Sequence, residues 1–130
     1  MAVKGPIPVH FDQVFPFGAF LASEVTPVME FENGKPTKQK THPVSGEPVW
    51  EVAVIDGDTS VKAAQKTVKV KLAAKYQPVP PDSVAGSPFT PVEFTEMAVT
   101  PYLVEGSGRP RIAYSIQARD MLAAGAGVGS

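Results

Sequence analysis

Apolar and polar side chains alternate with a two-residue period along much of the chain, a pattern typical of half-buried β-strands. The alternation is most regular after Thr67, where Val68, Val70 and Leu72 are separated by Lys69 and Lys71. Two further segments alternate in the same way, and two longer segments do so with interruptions. The sequence therefore predicts five strands, over Gly18–Phe31, Val49–Ile55, Thr67–Leu72, Val92–Leu103 and Arg111–Arg119.

The first and fourth predicted strands are interrupted. Pro27 cannot donate a ladder hydrogen bond, so it indicates a sheet edge, a bulge or a break within the first strand. In the fourth strand, the step from Phe94 to Met97 reverses the parity of the inward positions and predicts a bulge near Thr95-Glu96. Such interruptions are typical of strands that bend from one side of a small barrel to the other.

The connections are rich in turn-forming residues. Asn33-Gly34 is a strong turn signal, and the prolines that follow it predict an irregular loop over Glu32–Pro48. The stretch 59–66 fits either a mobile hairpin loop or one helical turn. Gly106-Ser107-Gly108 predicts a hairpin turn. We also expect a Pro-rich connection over Tyr76–Pro91, an irregular opening segment over Met1–Pro16 docked by Phe11, Val14, Phe15 and Phe17, and a disordered tail over Leu122–Ser130.

The composition supports an all-β fold. Fourteen prolines and eleven glycines are spread over 130 residues, and internal prolines disfavour long helices. Five strands joined by hairpins and one longer connection predict a five-stranded OB-like Greek-key barrel with a long first strand. A β-sandwich or another small barrel is the alternative. We expect one domain over residues 1–121, followed by a flexible tail over 122–130.

The sequence offers no constellation typical of an enzyme. There is no cysteine, which excludes disulfides, thiolate zinc sites and cysteine nucleophiles. The two histidines, His10 and His42, lie in Pro-flanked segments without a metal-ligand spacing or a nearby nucleophile. No Walker motif occurs. We therefore predict a non-enzymatic protein without a metal or cofactor. No apolar run approaches the length of a membrane helix and no signal peptide is apparent, so we expect a cytoplasmic protein without a membrane partner.

Positive charge is clustered although the net charge is −1. Five lysines and no acidic residue lie between Asp58 and Asp82, and three arginines and no acidic residue lie between Glu105 and Asp120. If the two segments are neighbours, they form a basic stripe suited to a phosphate backbone, and the acidic residues are expected on another surface. The predicted phosphate-binding residues are Lys35, Lys38, Lys40, Lys66, Lys69, Lys71, Lys75, Arg109, Arg111 and Arg119.

Binding of single-stranded DNA also requires exposed aromatic side chains on which bases stack. Tyr76 follows the basic strand and is the better candidate. Trp50 shares its parity with Val52 and Val54, which leaves it either in the core or as a stacking platform. Alternatively, the lysines form an ordinary solvated strand face that protects the sheet from edge-to-edge aggregation.

Several segments together resemble a family of small actinobacterial proteins, the plasmid replication, integration and excision activators of integrating mobile elements. The resemblance covers about Val9 to Met121 and consists of strand patterns. The segments that carry it are Val14–Ala19, Val25–Val28, Trp50–Asp56, Gln65–Lys71, Pro91–Phe94, Val99–Tyr102 and Arg109–Ser115. It implies a role in plasmid replication or transfer. The strand plan is also similar to that of the OB-like single-stranded DNA-binding proteins of filamentous phages, which implies a homodimer.

The leading hypothesis is therefore a non-enzymatic protein that binds single-stranded DNA with low sequence specificity and strong salt dependence. The runner-up is a regulatory protein-interaction module that recruits a replication initiator or recombinase without binding DNA directly. A phage-like structural subunit is the third alternative.

Overall fold

The chain folds mostly into β-strands in a computed structural model, which describes residues 6–60, 66–82, 90–106 and 108–124. The prediction of an all-β fold is confirmed. The elements are β1 (Ile7–Val9), α1 (Phe11–Val14), β2 (Ala19–Leu21), β3 (Thr26–Pro27), β4 (Met29–Glu32), β5 (Lys35–Gln39), β6 (Val49–Asp56), β7 (Thr67–Ala73), β8 (Pro91–Thr95), β9 (Met97–Val104), β10 (Arg111–Ala118) and β11 (Asp120–Ala123).

Nine of the described strands form one curled sheet with the order β1-β9-β10-β7-β6-β2-β8-β11, and β3 pairs with β6 beside that path. The pairing of β7 with β10 is parallel, and the other pairings along the path are antiparallel. Because β8 runs directly into β9 along the chain, the path leads back towards its own start. The sheet therefore has the shape of a half-barrel.

The fourth and fifth predicted strands are bent at matching positions. β8 and β9 are separated by Glu96, whose φ of 47° lies in the left-handed region, and Arg119 separates β10 from β11. The Thr95–Asp120 pair and the Ala98–Gln117 pair lie on either side of this point, with two residues between them on each strand. The predicted interruption near Thr95-Glu96 is thus present, but as a kink shared by both strands rather than as an extra residue on one.

The core lies on the inner face of the curled sheet. Val52, Val54, Val70 and Leu72 are completely buried there, as the alternation in β6 and β7 predicts. Phe15, from the turn after α1, closes one side of this core and is also buried. The remaining buried apolar side chains are Ala19, Val25, Val49, Val92, Phe94, Met97, Ala118 and Met121.

The predicted loop over Glu32–Pro48 is wrong in its first part. β5 pairs with β4 in a separate two-stranded sheet, closed by Asn33 and Gly34 with φ values of 53° and 79°. These positive values are typical of a tight hairpin turn. Pro36 is tolerated because the ladder shifts register between Glu30 and Phe31 and the strand lies at an edge.

The chain ends also differ from prediction. The opening segment contains β1, which pairs with β9, and the single turn of α1. Phe15 is buried as expected, but Phe17 is 67% exposed. At the other end, β11 continues the sheet to Ala123, inside the segment predicted to be disordered. The turn at Ser107, most of the stretch 59–66 and part of the Pro-rich connection lie outside the described residues.

The β9–β10 hairpin extends beyond the strands that flank it. β1 pairs with β9 only at Met97–Val99, and β7 pairs with β10 only at Ile116–Ala118. The segments 100–104 and 111–115 pair with each other alone, and we call them the arm.

In the described part of the chain, no helix has the length and apolar character needed to cross a membrane.

Candidate nucleic-acid interface

An open groove of about 1200 Å³ runs over the outer face of the curled sheet. Alternation places Glu51, Lys69 and Lys71 on this outer face of β6 and β7, because their neighbours in sequence point into the core. The floor over β9 and β10 consists of small or uncharged side chains: Ala98, Thr100, Ala113, Ser115 and Gln117. Such a floor leaves room for a flat ligand along the strands.

Four of the predicted phosphate-binding residues meet in this groove. Lys69 and Lys71 come from β7, and Lys71 lies in register with Gln117 of the parallel neighbour β10. Lys40 reaches the groove from the segment after β5, and Arg119 reaches it from the kink between β10 and β11. The parallel pairing of β7 with β10 thus brings together lysines and an arginine that are far apart in sequence.

Carboxylates occupy the same groove, contrary to the expectation that acidic residues lie on another surface. Glu47, Glu51 and Glu96 line it beside the four cations, which leaves a formal excess of one positive charge. Lys69 Nζ lies 3.7 Å from Glu51 Oε1, and Arg119 Nε lies 3.5 Å from Glu96 Oε2. Register explains the first pair: β6 borders β7 and presents Glu51 directly opposite Lys71, diagonal to Lys69.

Lys35 and Lys38 do not line the groove. They lie on the β4–β5 hairpin, where each has a glutamate as its cross-strand neighbour. Lys38 Nζ lies 3.7 Å from Glu30 Oε2, and both side chains are substantially exposed. A two-stranded hairpin places opposite charges across from each other by local pairing alone.

Four other predicted cations also lie away from the groove: Lys66, Lys75, Arg109 and Arg111. Arg109 and Arg111 are exposed at the end of the arm. Lys66 lies next to Asp58 at the start of β7. The Ser60 hydroxyl donates a 2.6 Å hydrogen bond to Asp58 Oδ1; together with the backbone N–H of Ser60 and the charge of Lys66, it lowers the pKa of Asp58. The ten predicted cations therefore do not form one continuous stripe.

Trp50 lies on the core side of β6. Its indole Nε1–H donates a 3.0 Å hydrogen bond to the carbonyl oxygen of Ala74, and its ring packs against the buried cluster. This is the core alternative that its parity with Val52 and Val54 left open.

All three tyrosines are exposed, and Tyr102 and Tyr114 are among the residues that line the groove. Tyr102 lies on the outer face of the arm and is 51% exposed. Tyr76 is 75% exposed, with Lys75 Nζ 5.5 Å from the centre of its ring. It shares a smaller depression with Arg119, so it lies beyond the opposite end of the groove. In the sequence, Tyr102 has parity opposite to Val99, which is the one local feature that marks it as outward-facing; the extent of the arm is not visible there.

The groove floor and His42 are not recognisable as site residues from the sequence. Ser115, Gln117 and Thr100 carry no charge, and their outward parity is the one sequence feature that marks them. His42 lines the groove, and its Nδ1 accepts backbone hydrogen bonds from Val44 and Ser45 within its own turn. Among the described residues, no three acidic or histidine side chains are arranged to hold a metal ion.

Comparison with known proteins returns no match: no protein-family model, no curated protein and no solved structure is similar to this chain. The resemblance to the plasmid activator family stays a prediction.

Proposed function

We propose that this protein binds single-stranded nucleic acid along the groove with low sequence specificity and without catalysing a reaction. The observation that carries the proposal is the convergence of Lys40, Lys69, Lys71 and Arg119 over an uncharged floor, with Tyr102 exposed alongside. Cations along a groove hold the phosphate backbone, and an exposed aromatic ring stacks on a base with little preference for its identity. In a cell, such binding would serve the replication or transfer of a plasmid or integrative element.

We further propose that the sheet is a barrel of the OB type. The strands β8, β2, β6 and β7 are adjacent in that order, which corresponds to a Greek key in which the fourth strand returns beside the first. The fifth strand, β10, then lies between β7 and β9. OB folds bind oligonucleotides on the face of their second and third strands. The second and third strands here are β6 and β7, which supports the placement of the ligand.

Fluorescence anisotropy with a labelled oligothymidylate of about sixteen nucleotides tests the proposal. We expect binding at low salt, weaker binding to a duplex, and loss of binding when Lys69 and Lys71 are both replaced by Glu. The matched control is Lys35→Glu with Lys38→Glu, which changes the net charge equally but outside the groove. Equal losses for both double variants would mean that total charge, rather than the groove, determines affinity.

The arm supports a second candidate function, that of a protein-interaction module. Leu103 and Ile112 form a cross-strand pair and are 58% and 64% exposed, and Tyr114 on the same face is 59% exposed. Alternation along β10 places Ile112 and Tyr114 on the same side as the buried Ala118, but both are exposed because the arm projects past the sheet that would cover them. A two-stranded hairpin is marginally stable alone. We propose that a second copy of the chain covers this uncharged face and forms a homodimer, since two such faces meet without burying a charge.

Light scattering coupled to size exclusion tests the homodimer. We expect a dimer for the unmodified protein and a monomer when Leu103 and Ile112 are both replaced by Ser. Val44→Ser is the control, because Val44 is 88% exposed in a turn outside the arm. A monomer at tens of micromolar would refute the homodimer, and a large oligomer would favour a structural subunit.

A further inference from the structure

The two ion pairs in the groove place carboxylates where a bound strand would place phosphates. Glu51 is held by β6, between β7 and β3, and its side chain is 26% exposed, whereas the side chain of Lys69 is 71% exposed. The lysine is therefore the mobile partner of this pair and can turn towards a ligand while the carboxylate stays. At the kink, Arg119 and Glu96 are both more than 70% exposed.

These pairs occupy separate positions along the groove. Lys69 and Arg119 are four residues apart along the strand direction, because Gln117 is in register with Lys71 and the two strands are parallel. That separation corresponds to about 13 Å at the usual rise of a strand. A single phosphate therefore reaches one of the two pairs, whereas a polynucleotide strand reaches both.

We infer that Glu51 and Glu96 are specificity-determining residues that compete with phosphate for Lys69 and Arg119. This inference rests on the proposed function. When a mononucleotide binds, Lys69 or Arg119 exchanges one carboxylate contact for one phosphate contact, so the gain in binding free energy is small. A strand that spans the groove makes both exchanges and in addition contacts Lys40 and Lys71, for which no carboxylate lies within the 4.0 Å ion-pair limit among the described residues. The groove therefore selects polynucleotides over mononucleotides.

Replacing either glutamate by glutamine removes the competing charge and keeps the side-chain size. We expect Glu51→Gln and Glu96→Gln each to raise the affinity for the oligothymidylate about two- to fivefold, as exposed ion pairs are weak. Each change should also steepen the slope of log affinity against log salt by about 0.7. One more cation of the groove then neutralises a phosphate, and one more counterion is released from the strand. A merely structural role for these carboxylates would not change the salt dependence in this way. Thymidine monophosphate should compete poorly with the oligothymidylate on the unmodified protein.

Glu30→Gln is the matched control. Glu30 forms an ion pair of the same length with Lys38 but lies outside the groove, so its replacement should leave both affinity and salt dependence unchanged. If the unmodified protein binds while Glu51→Gln and Glu96→Gln leave affinity and salt dependence unaltered, the inference is wrong and the proposed function stands. If the unmodified protein does not bind the oligothymidylate, the proposed function fails and the inference with it. Effective competition by thymidine monophosphate would also overturn the selection for polynucleotides.

Discussion

Replacing Lys71 by Ala tests which cations of the groove contribute to the salt dependence of nucleic-acid affinity. Lys71 lies between Glu51 on β6 and Gln117 on β10, in the middle of the groove. Lys69 and Arg119 exchange one anion for another on binding, so Lys40 and Lys71 are the groove cations expected to contribute fully to the salt dependence.

Each phosphate of a single strand that a cation neutralises contributes about 0.7 to the slope of log affinity against log salt. We therefore expect a slope of about −1.4 for the unmodified protein and about −0.7 for Lys71→Ala. Between 50 and 200 mM salt, affinity should fall about sevenfold in the first case and about threefold in the second. This is shallower than the steep dependence that an uninterrupted basic stripe would give.

The assay is an anisotropy titration of the oligothymidylate at four or more concentrations of KCl. Lys38→Ala is the control, since Lys38 pairs with Glu30 away from the groove and its removal should preserve the slope. A slope that Lys71→Ala leaves unchanged, or that Lys38→Ala reduces by the same amount, would refute the assignment of the groove as the phosphate-binding surface.

Two further predictions concern the fold. Gly57→Ala should lower the free energy of unfolding by about 1–3 kcal/mol, because the added Cβ would collide with the carbonyl oxygen of Phe17, a backbone atom. Trp50→Phe should cost about 1 kcal/mol through the lost hydrogen bond to Ala74 while leaving nucleic-acid affinity unchanged. Urea unfolding followed by circular dichroism measures both stabilities, and the anisotropy assay measures the affinity.

Each of these changes has an informative contrast. Gly106→Ala places its Cβ in open space, so its stability should stay within about 0.5 kcal/mol of the unmodified protein. An equal loss for both glycine variants would contradict the collision, because an added Cβ at Gly106 meets no atom and the loss of a glycine reduces the entropy of the unfolded chain. A clear loss of affinity in Trp50→Phe would return Trp50 to the role of a stacking platform.

The electrostatic character of the groove limits the kind of binding that it supports. Four cations and three carboxylates face the same groove, so long-range attraction of a polyanion is weak and contact at short range determines affinity. The proposed binding would therefore depend on the order of cations and carboxylates along the groove, rather than on the total charge of the chain.

Local patterning in the amino-acid sequence is sufficient to define the strands whose two faces differ strongly. Alternation in β6, β7 and the second half of β10 assigns Val52, Val70 and Ala118 to the core and Lys69 to the outside, because burying an apolar side chain and solvating a charged one favour the same register. The break near Glu96 also follows from local parity. The alternation in β6 left the role of Trp50 open, because parity does not show whether an indole finds a hydrogen-bond acceptor.

Which strands are neighbours, and therefore which side chain each charge faces, follows from long-range packing of the sheet. The parallel pairing of β7 with β10 joins segments about 45 residues apart, and no local pattern specifies such a contact. That pairing, with β6 on the other side of β7, sets Glu51 against Lys69 and leaves Leu103 and Ile112 without cover on the arm. Side-chain period is a property of one strand, whereas ion pairing and exposure are properties of the strands beside it.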